Sequence, residues 1–117
     1  MKQVYFIKPI GMAGPVKIGG SCHPDKRVGS LADWSPFPLE VIATIEGDYV
    51  TERRFHALFE AFHYHREWFH GHADIFAAVA QINAGAFDAA TLPAPLCIWK
   101  RPRLPTPITD RAQGEAA

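Results

Sequence analysis

Five of the six histidines in the chain lie between Phe55 and His72, in the stretch FHALFEAFHYHREWFHGH. Glu52 comes shortly before this stretch, and His56 follows Glu52 by four residues, so a helix places their side chains one turn apart on the same face. Carboxylate and imidazole groups can together bind a divalent cation, transfer protons or hold a phosphate. The stretch is therefore a candidate metal site, a candidate catalytic site, or a helix and exit loop that are merely rich in imidazole.

The histidines of the stretch other than His56 are His63, His65, His70 and His72. H-x-H pairs can bind zinc, but structural zinc sites usually have four ligands and often include cysteine. Cys22 is distant from the histidines in sequence, and Cys97 lies near the C-terminus. We therefore predict that the last three of these histidines are solvated or contact nucleic-acid phosphate when protonated. Only His56 is predicted to have a role in a site.

Residues 49–62 have the period of an amphipathic helix. Its apolar stripe consists of Phe55, Leu58, Phe59 and Phe62, at i, i+3, i+4 and i+7. On a helical wheel, Glu52, His56 and His63 lie together to one side of that stripe. A carboxylate at the edge of an apolar face is costly without a partner. The partner is either a metal ion or a cationic side chain, and a surface arginine is the simpler alternative.

Two short segments near the N-terminus, QVYFIKPI and VKIGGS, predict a β-hairpin, because both have the composition of strands and a glycine-punctuated turn separates them. Lys17 lies between Val16 and Ile18 in the second strand and so points off the face that those two use. The alternative is that Lys17 protects an edge strand from aggregation. Arg27 follows in a predicted helix, CHPDKRVGSLADW, where the alternative is a solvated charge that pairs with Asp25.

The predicted order is strand, strand, helix, strand, helix, helix, which indicates a small α/β (α+β) sandwich with a three-stranded, mainly antiparallel sheet flanked by helices. The third strand, LEVIATIEG, is apolar enough to be central in that sheet. The apolar stripe of the first helix is Val28, Leu31 and Ala32. The last helix, HADIFAAVAQINAG, turns Ile75, Phe76, Val79 and Ile82 inward and ends at Gly85.

Composition predicts one domain at residues 1–92 and an extended proline-rich tail at residues 93–117. The net charge of zero gives no general attraction to nucleic acid or membrane. The tail holds a basic cluster, Lys100, Arg101 and Arg103, that could contact phosphate weakly; alternatively, Trp99 beside it packs on the domain or on a partner. Two cysteines without a C-x-x-C pair and no signal peptide or long apolar run predict a cytoplasmic protein without a membrane span.

Taken together, these motifs resemble the GIY-YIG nuclease superfamily. VYFI stands where the GIY strand is expected and VKIG where the YIG strand is expected. ERRFHALFEAFHYHREWF is similar to the phage-associated branch of that superfamily, which carries KIG in the second strand, E-x3-H on the helix and a closing EWF. The resemblance covers about residues 3–70, and its specificity comes from the order of several features rather than from any single triplet.

The resemblance implies a metal-dependent endonuclease acting on DNA, with Mg²⁺ or Mn²⁺ as cofactor. Tyr5 and Lys17 would flank the attacking water, and Arg27 would hold the scissile phosphate. Glu52 would hold the metal, and His56 would add a contact to phosphate or water. A nearby Lys17 ammonium would lower the pKa of Tyr5 and favour the phenolate as base. Independently of the resemblance, Glu67 and Arg66 are expected near the surface, with Trp68 and Phe69 packed under the sheet to close the core.

The chain departs from the superfamily pattern at three places. QVY replaces the glycine of GIY, and Lys17 replaces the usual tyrosine. No residue clearly matches a late asparagine that many members carry, since Asn83 lies far along the chain. Two other functions therefore stay open: a non-catalytic nucleic-acid-binding accessory module, and a structural or interaction protein that forms a homodimer or binds a partner protein through the tail.

Overall fold

The computed structural model describes residues 2–98; the basic cluster of Lys100, Arg101 and Arg103, Trp99 and the predicted tail beyond them lie outside this range. The strands are β1 Gln3–Pro9, β2 Val16–Ser21, β3 Leu39–Glu46, β4 His63–His65 and β5 Trp68–Phe69. The α-helices are α1 Pro24–Ala32, α2 Tyr49–Leu58 and α3 Ala73–Asn83. Short 3-10 helices span Glu60–Phe62 and Ala89–Thr91. The predicted α+β class is confirmed.

The strands form one antiparallel sheet in the order β3-β1-β2-β5-β4. The sheet has five strands rather than the predicted three, because β5 pairs with β2 and β4 pairs with β5. The prediction that LEVIATIEG is the central strand is wrong: β3 lies at an edge, and β1 is flanked on both sides. Most of β3 is only half-buried, whereas Val4, Tyr5, Phe6 and Ile7 of β1 are buried without interruption.

The two faces of β1 and β2 have different roles because successive side chains of a strand point to opposite faces. Val4, Phe6 and Ile18 join the main core, together with Phe55 of α2 and Ile75 of α3. The rings of Phe6 and Phe55 meet edge to face with centroids 5.3 Å apart, a favoured arrangement for buried aromatic side chains. By the same alternation, Tyr5 and Lys17 point to the opposite face, beside which α1 lies.

The helix α2 begins at an Asp48 cap, whose carboxylate accepts hydrogen bonds from Val50 N at 3.0 Å and Thr51 N at 3.2 Å. It ends at Leu58, earlier than predicted, because Phe59 has left helical geometry at φ −106°, ψ 20°. Leu58 is exposed, whereas the sequence places it in the buried stripe. His63 consequently lies on β4 and not on the helix face shared by Glu52 and His56.

The segment after α2 is a tight hairpin rather than a loop. Arg66 at its turn has φ 54°, the left-handed conformation that reverses the chain between β4 and β5. Trp68 pairs with Lys17, and Phe69 pairs with Val16 and is fully buried. Trp68 and Phe69 therefore belong to the sheet itself; Phe69 joins the main core, as predicted, whereas Trp68 is only half-buried.

The helix α1 covers its face of the sheet loosely. Two of the three residues of the predicted stripe, Val28 and Leu31, are half-buried. The third, Ala32, is exposed, and the helix contains no fully buried residue. In α3, Ile75 and Val79 are buried while Phe76 and Ile82 pack against the core edge, as predicted, and Gly85 follows with φ +72°. None of the helices in residues 2–98 has the length and apolarity needed to cross a membrane.

The chain continues to pack on α2 beyond residue 92, where the predicted tail begins. Arg54 donates to the Leu92 carbonyl at 2.6 Å and to the Pro93 carbonyl at 3.1 Å. Leu96 N donates to the Arg53 carbonyl at 3.1 Å. Leu92 and Ile98 are both buried. Residues 92–98 are therefore held as a strap along the outer side of α2.

Candidate functional site

Lys17 and Glu67 form the centre of the candidate site. Lys17 Nζ lies 2.6 Å from Glu67 Oε1, and their side chains are only 8% and 18% exposed. Glu67 is positioned by the start of β5, since its carbonyl accepts a hydrogen bond from Ile18 N at 3.0 Å. The expectation that Glu67 stays at the surface is therefore wrong, and a residue without a predicted role occupies the middle of the site.

His56 reaches the same place from α2. Its Nε2 donates to the Ile18 carbonyl at 2.8 Å and lies 3.8 Å from Glu52 Oε2. Ile18 thus links two site residues, because its N–H donates to the Glu67 carbonyl and its own carbonyl accepts from His56. The His56 side chain is 1% exposed, and its Nδ1 has no hydrogen-bond partner in the described part of the chain. The helical wheel predicts that His56 lies at the rim of the apolar stripe. In the structure it is buried instead.

Two glycines of β2 allow the close approach of site residues. A Cβ at Gly20 would lie 2.8 Å from Glu52 Oε1, so this carboxylate extends over bare backbone. A Cβ at Gly19 would lie 2.6 Å from the Tyr5 hydroxyl oxygen. Both distances are shorter than normal contact, so neither glycine can be replaced without movement of the neighbouring side chain. The glycines of VKIGG therefore have a steric role in the site.

Tyr5 is buried, and its hydroxyl faces the guanidinium of Arg27 on the exposed side of α1. Burial raises the pKa of the Tyr5 phenol, and Arg27 offsets part of that rise. The sequence predicts the opposite direction, with Lys17 as the cation that lowers this pKa. The difference arises because burial outweighs the nearby cation, which is Arg27 and not Lys17, so that Tyr5 is a neutral phenol at neutral pH.

The carboxyl groups of Glu52 and Glu67 interact directly. Burial raises the pKa of Glu52 to about 8, and the neighbouring Glu67 adds to the rise. Burial also opposes ionisation of Glu67, but a hydrogen bond from Glu52 and the ammonium of Lys17 bring its pKa below the ordinary value. Near pH 7, one proton therefore lies on Glu52, and the charge lies on Glu67 beside Lys17. Within residues 2–98, the groups beside the Glu52 carboxyl are Glu67 and His56 and not the surface arginine of the simpler alternative.

Burial lowers the pKa of His56, so its imidazole is neutral at pH 7. Because Nε2 carries the proton that binds Ile18, the lone pair is on Nδ1. An unpaired nitrogen in a buried position is costly unless something else binds it.

Ligand atoms of Glu52, His56 and Glu67 all lie within 4.8 Å of one another. Two carboxylates and a neutral imidazole are a donor set that binds divalent cations. Nδ1 is the His56 nitrogen that a ligand could still bind, since Nε2 is bonded to the Ile18 carbonyl. These three residues therefore fit the Mg²⁺ or Mn²⁺ that the sequence predicts, although Glu52 alone is the predicted ligand.

A small surface pocket opens at this cluster. Its lining consists of Tyr49, Glu52, Arg53, His56, Glu67, Cys97 and Ile98. The walls thus come from α2, the start of β5 and the strap that ends at Ile98. Cys22 and Cys97 are both free thiols. Arg27 and Tyr5 do not line this pocket, but the charges of Glu67 and Glu52 raise the pKa of both.

The other histidines of the stretch have local contacts. His72 caps α3, since its Nδ1 accepts a hydrogen bond from Asp74 N at 3.0 Å, and its ring stacks on Phe62 at 3.9 Å between centroids. His63 Nε2 lies 2.8 Å from the Arg66 carbonyl within the β4–β5 hairpin. Asn83 donates to the Ile42 carbonyl at 3.0 Å and so fastens α3 to β3.

One signal in the sequence could have identified Glu67. It is the first residue of EWF, the triplet that closes the quoted phage-associated motif. If the two aromatic residues form a strand, the glutamate directly before them lies at the start of that strand. Two residues are too few to show the alternation that predicts a strand.

The fold and the cluster together define a small α+β domain that presents two carboxylates and an imidazole beside a lysine. The T5orf172 domain family matches residues 2–84, and the chain belongs to this family. It is a phage-associated domain related to nuclease-like modules. No curated protein and no solved structure matches the chain significantly.

Proposed function

We propose that the chain is a metal-dependent endonuclease that hydrolyses phosphodiester bonds of DNA with a GIY-YIG-type site. The observation that carries the proposal is the meeting of Glu52, His56 and Glu67 at one pocket, with Lys17 paired to Glu67 beside it. Hydrolysis of a phosphodiester requires charge neutralisation and a positioned water, and these residue types supply both.

The cationic side chains bind the substrate. Arg27 is exposed on α1, and its planar guanidinium can hold a phosphate through two hydrogen bonds. Lys17 is held by Glu67 and offers an ammonium whose direction is fixed. Tyr5 orients the attacking water through its hydroxyl, and Arg27 is the neighbour that favours a phenolate when the proton leaves.

The carboxylates hold the metal. Glu52 is the principal ligand, and a bound Mg²⁺ or Mn²⁺ would neutralise charge on the phosphate and the leaving oxygen. Gly20 leaves the space through which Glu52 reaches the site. The small pocket lined by α2 and the strap keeps most solvent away from the carboxyl pair, which strengthens its electrostatic interactions.

A nucleic-acid-binding module without catalysis is the second candidate. The neutral phenol of Tyr5 favours it, because Tyr5 then lacks the phenolate that a base requires. The basic cluster of Lys100, Arg101 and Arg103 and a homodimer or partner protein at the tail stay predictions, since those residues lie outside the described range.

Plasmid nicking tests the proposal. The wild-type chain should nick supercoiled DNA with Mg²⁺ or Mn²⁺ and not with EDTA. Glu52→Gln should abolish nicking and keep the wild-type fold by circular dichroism. Full nicking by this variant would remove Glu52 from the mechanism. Absence of nicking by the wild type, together with salt-dependent gel shifts of DNA, would favour the binding module. Incubation of single-stranded RNA under the same conditions shows whether the chain cleaves RNA as well as DNA.

A further inference from the structure

His56 lies beside the carboxyl groups of Glu52 and Glu67 and forms a cluster of three residues with them. The His56 imidazole is fully buried, but its Nδ1 has no hydrogen-bond partner among residues 2–98. One ring nitrogen of His56 and one carboxylate oxygen of each glutamate lie within 4.8 Å of one another. A histidine in the core can normally satisfy both nitrogens or be replaced by an apolar residue. The cluster therefore brings one imidazole nitrogen and two carboxylates within reach of a single ion, and Nδ1 is the His56 nitrogen that a ligand could still bind, since Nε2 is bonded to Ile18.

The way in which the His56 ring is held indicates the kind of partner. Nε2–H donates to the Ile18 carbonyl, which fixes both the tautomer and the orientation of the ring. Histidines that bind metals commonly donate their second N–H to a backbone carbonyl in this manner, because the bond holds the ring and leaves the other nitrogen for the metal. The Ile18 peptide also binds the Glu67 backbone, so one strand residue aligns two ligands.

We infer that Glu67 and His56 join Glu52 in a three-ligand metal centre that binds one divalent ion and prefers Mn²⁺ to Mg²⁺. The inference deepens the proposed function, on which it rests for the reaction that the metal serves. The preference follows from ligand chemistry: Mg²⁺ favours oxygen ligands and water, whereas an imidazole nitrogen favours a transition metal.

The charges at the site set the number of ions at one. Two carboxylates and the Lys17 ammonium give a net charge of about −1 when both carboxylates are ionised. One divalent ion converts this to about +1, which attracts a phosphate, while a second ion would add repulsion without any further carboxylate. Glu67 can serve both partners because a carboxylate has two oxygens and only Oε1 is used in the 2.6 Å contact with Lys17.

Binding of Mn²⁺ itself tests the inference without reference to cleavage. The free-Mn²⁺ signal in electron paramagnetic resonance is measured during titration of the full chain, and Mg²⁺ competition gives the selectivity. The variants are Glu67→Gln and His56→Gln. In the latter, the amide nitrogen can replace Nε2 as donor to Ile18 while the Nδ1 ligand is lost. Glu46→Gln and His70→Gln are matched controls, since both residues are exposed and lie outside the cluster.

The wild type should bind one Mn²⁺ per chain more tightly than Mg²⁺. Glu67→Gln should weaken Mn²⁺ binding at least tenfold, and His56→Gln should both weaken it and reduce the preference over Mg²⁺ at least tenfold. The controls should bind as the wild type does. Wild-type affinity in either variant, or a wild type that does not prefer Mn²⁺, would overturn the three-ligand centre.

A measurement on the unaltered chain covers the case in which a variant does not fold. Mn²⁺ should broaden the imidazole ¹⁵N and ¹H resonances of His56 at substoichiometric concentration, before those of His70. Equal broadening of the two would contradict the inference. Metal binding as expected without nicking would leave the centre standing and remove the proposed nuclease. If the chain nicks DNA but Glu67→Gln and His56→Gln bind Mn²⁺ as the wild type does, the proposed nuclease would stand and the three-ligand centre would be excluded.

Discussion

Lys17 Nζ lies 2.6 Å from Glu67 Oε1, although 50 positions separate the two residues in the sequence. The ion pair forms because β5 adds to β2 beside Lys17, with Trp68 as its register partner. Lys17 is therefore held in a partly buried pair and does not serve as an exposed guard of a sheet edge. Its side chain is directed toward the carboxyl cluster by an interaction that no local pattern encodes.

A double-mutant cycle on this pair should give a large coupling energy. Lys17→Met keeps the aliphatic stem and removes the charge, which leaves Glu67 half-buried beside Glu52 without a cation. We expect a loss of about 2–4 kcal/mol in the free energy of unfolding, since removal of one partner leaves a buried charge. Urea unfolding of Lys17→Met, Glu67→Gln and the double variant measures it. The double variant should lose at least about 1 kcal/mol less than the sum of the single variants; additive losses would contradict the pairing.

The two glycines of β2 should respond differently to alanine. Gly19→Ala places a methyl group against the buried Tyr5 ring and should cost about 1–3 kcal/mol of stability. Gly20→Ala meets the ends of the flexible Glu52 and Lys2 side chains, with the Gln3 carbonyl at ordinary contact distance, so it should cost little stability but displace the carboxylate and weaken Mn²⁺ binding. Thermal unfolding and Mn²⁺ titration of both variants separate the two effects. Equal stability losses would show that Glu52 does not lie over Gly20.

Stability should depend on pH through Glu52. Its pKa is about 8 in the folded chain against an ordinary value of 4.5, so the folded state binds this proton more tightly than the unfolded state. The resulting stabilisation is fully present below pH 4.5 and is lost as the pH rises through about 8. The glutamine of Glu52→Gln does not titrate. With EDTA present, the free energy of unfolding of this variant should therefore rise relative to that of the wild type by a few kcal/mol between pH 5 and 8, at about 1.4 kcal/mol per pKa unit. Urea unfolding across this range measures the difference, and parallel profiles would contradict the raised pKa.

Arg27 should be required for cleavage but not for folding. Its side chain is exposed on a helix with no fully buried residue, so Arg27→Ala should change stability by less than about 1 kcal/mol. Loss of the phosphate contact should reduce nicking at least about 100-fold, or roughly 2.7 kcal/mol of transition-state stabilisation. Lys26→Ala on the same helix is the matched control and should retain activity. Equal activity of the two variants would exclude Arg27 from substrate binding.

The first three strands and the three helices follow from local patterns. QVYFIKPI and VKIGGS carry their own β-propensity and turn signals, and α3 has a complete apolar stripe, so their bounds are predicted to within a few residues. The strands β4 and β5 have no such signal. They contain three and two residues and exist because they pair with each other and with β2.

The candidate site divides in the same way. Glu52 and His56 could be placed together from their spacing on one helix, and Tyr5 and Lys17 from one hairpin. Glu67 could not be joined to them, because its position depends on a two-residue strand and on a turn at Arg66 with positive φ. The direction of the Tyr5 pKa shift does not follow from local patterns either, because it depends on how deeply the fold buries the phenol.

The strap over α2 has a consequence for any fragment of this chain. The family match ends at residue 84, but Phe87 stacks on Phe55 with ring centroids 5.3 Å apart, and Leu92 and Ile98 are buried farther along. A fragment cut at the end of the match would expose that aromatic ring to water, leave Arg54 without its two carbonyl acceptors and remove one wall of the pocket. Insolubility or inactivity of such a fragment would reflect where it was cut and not what the intact fold can do.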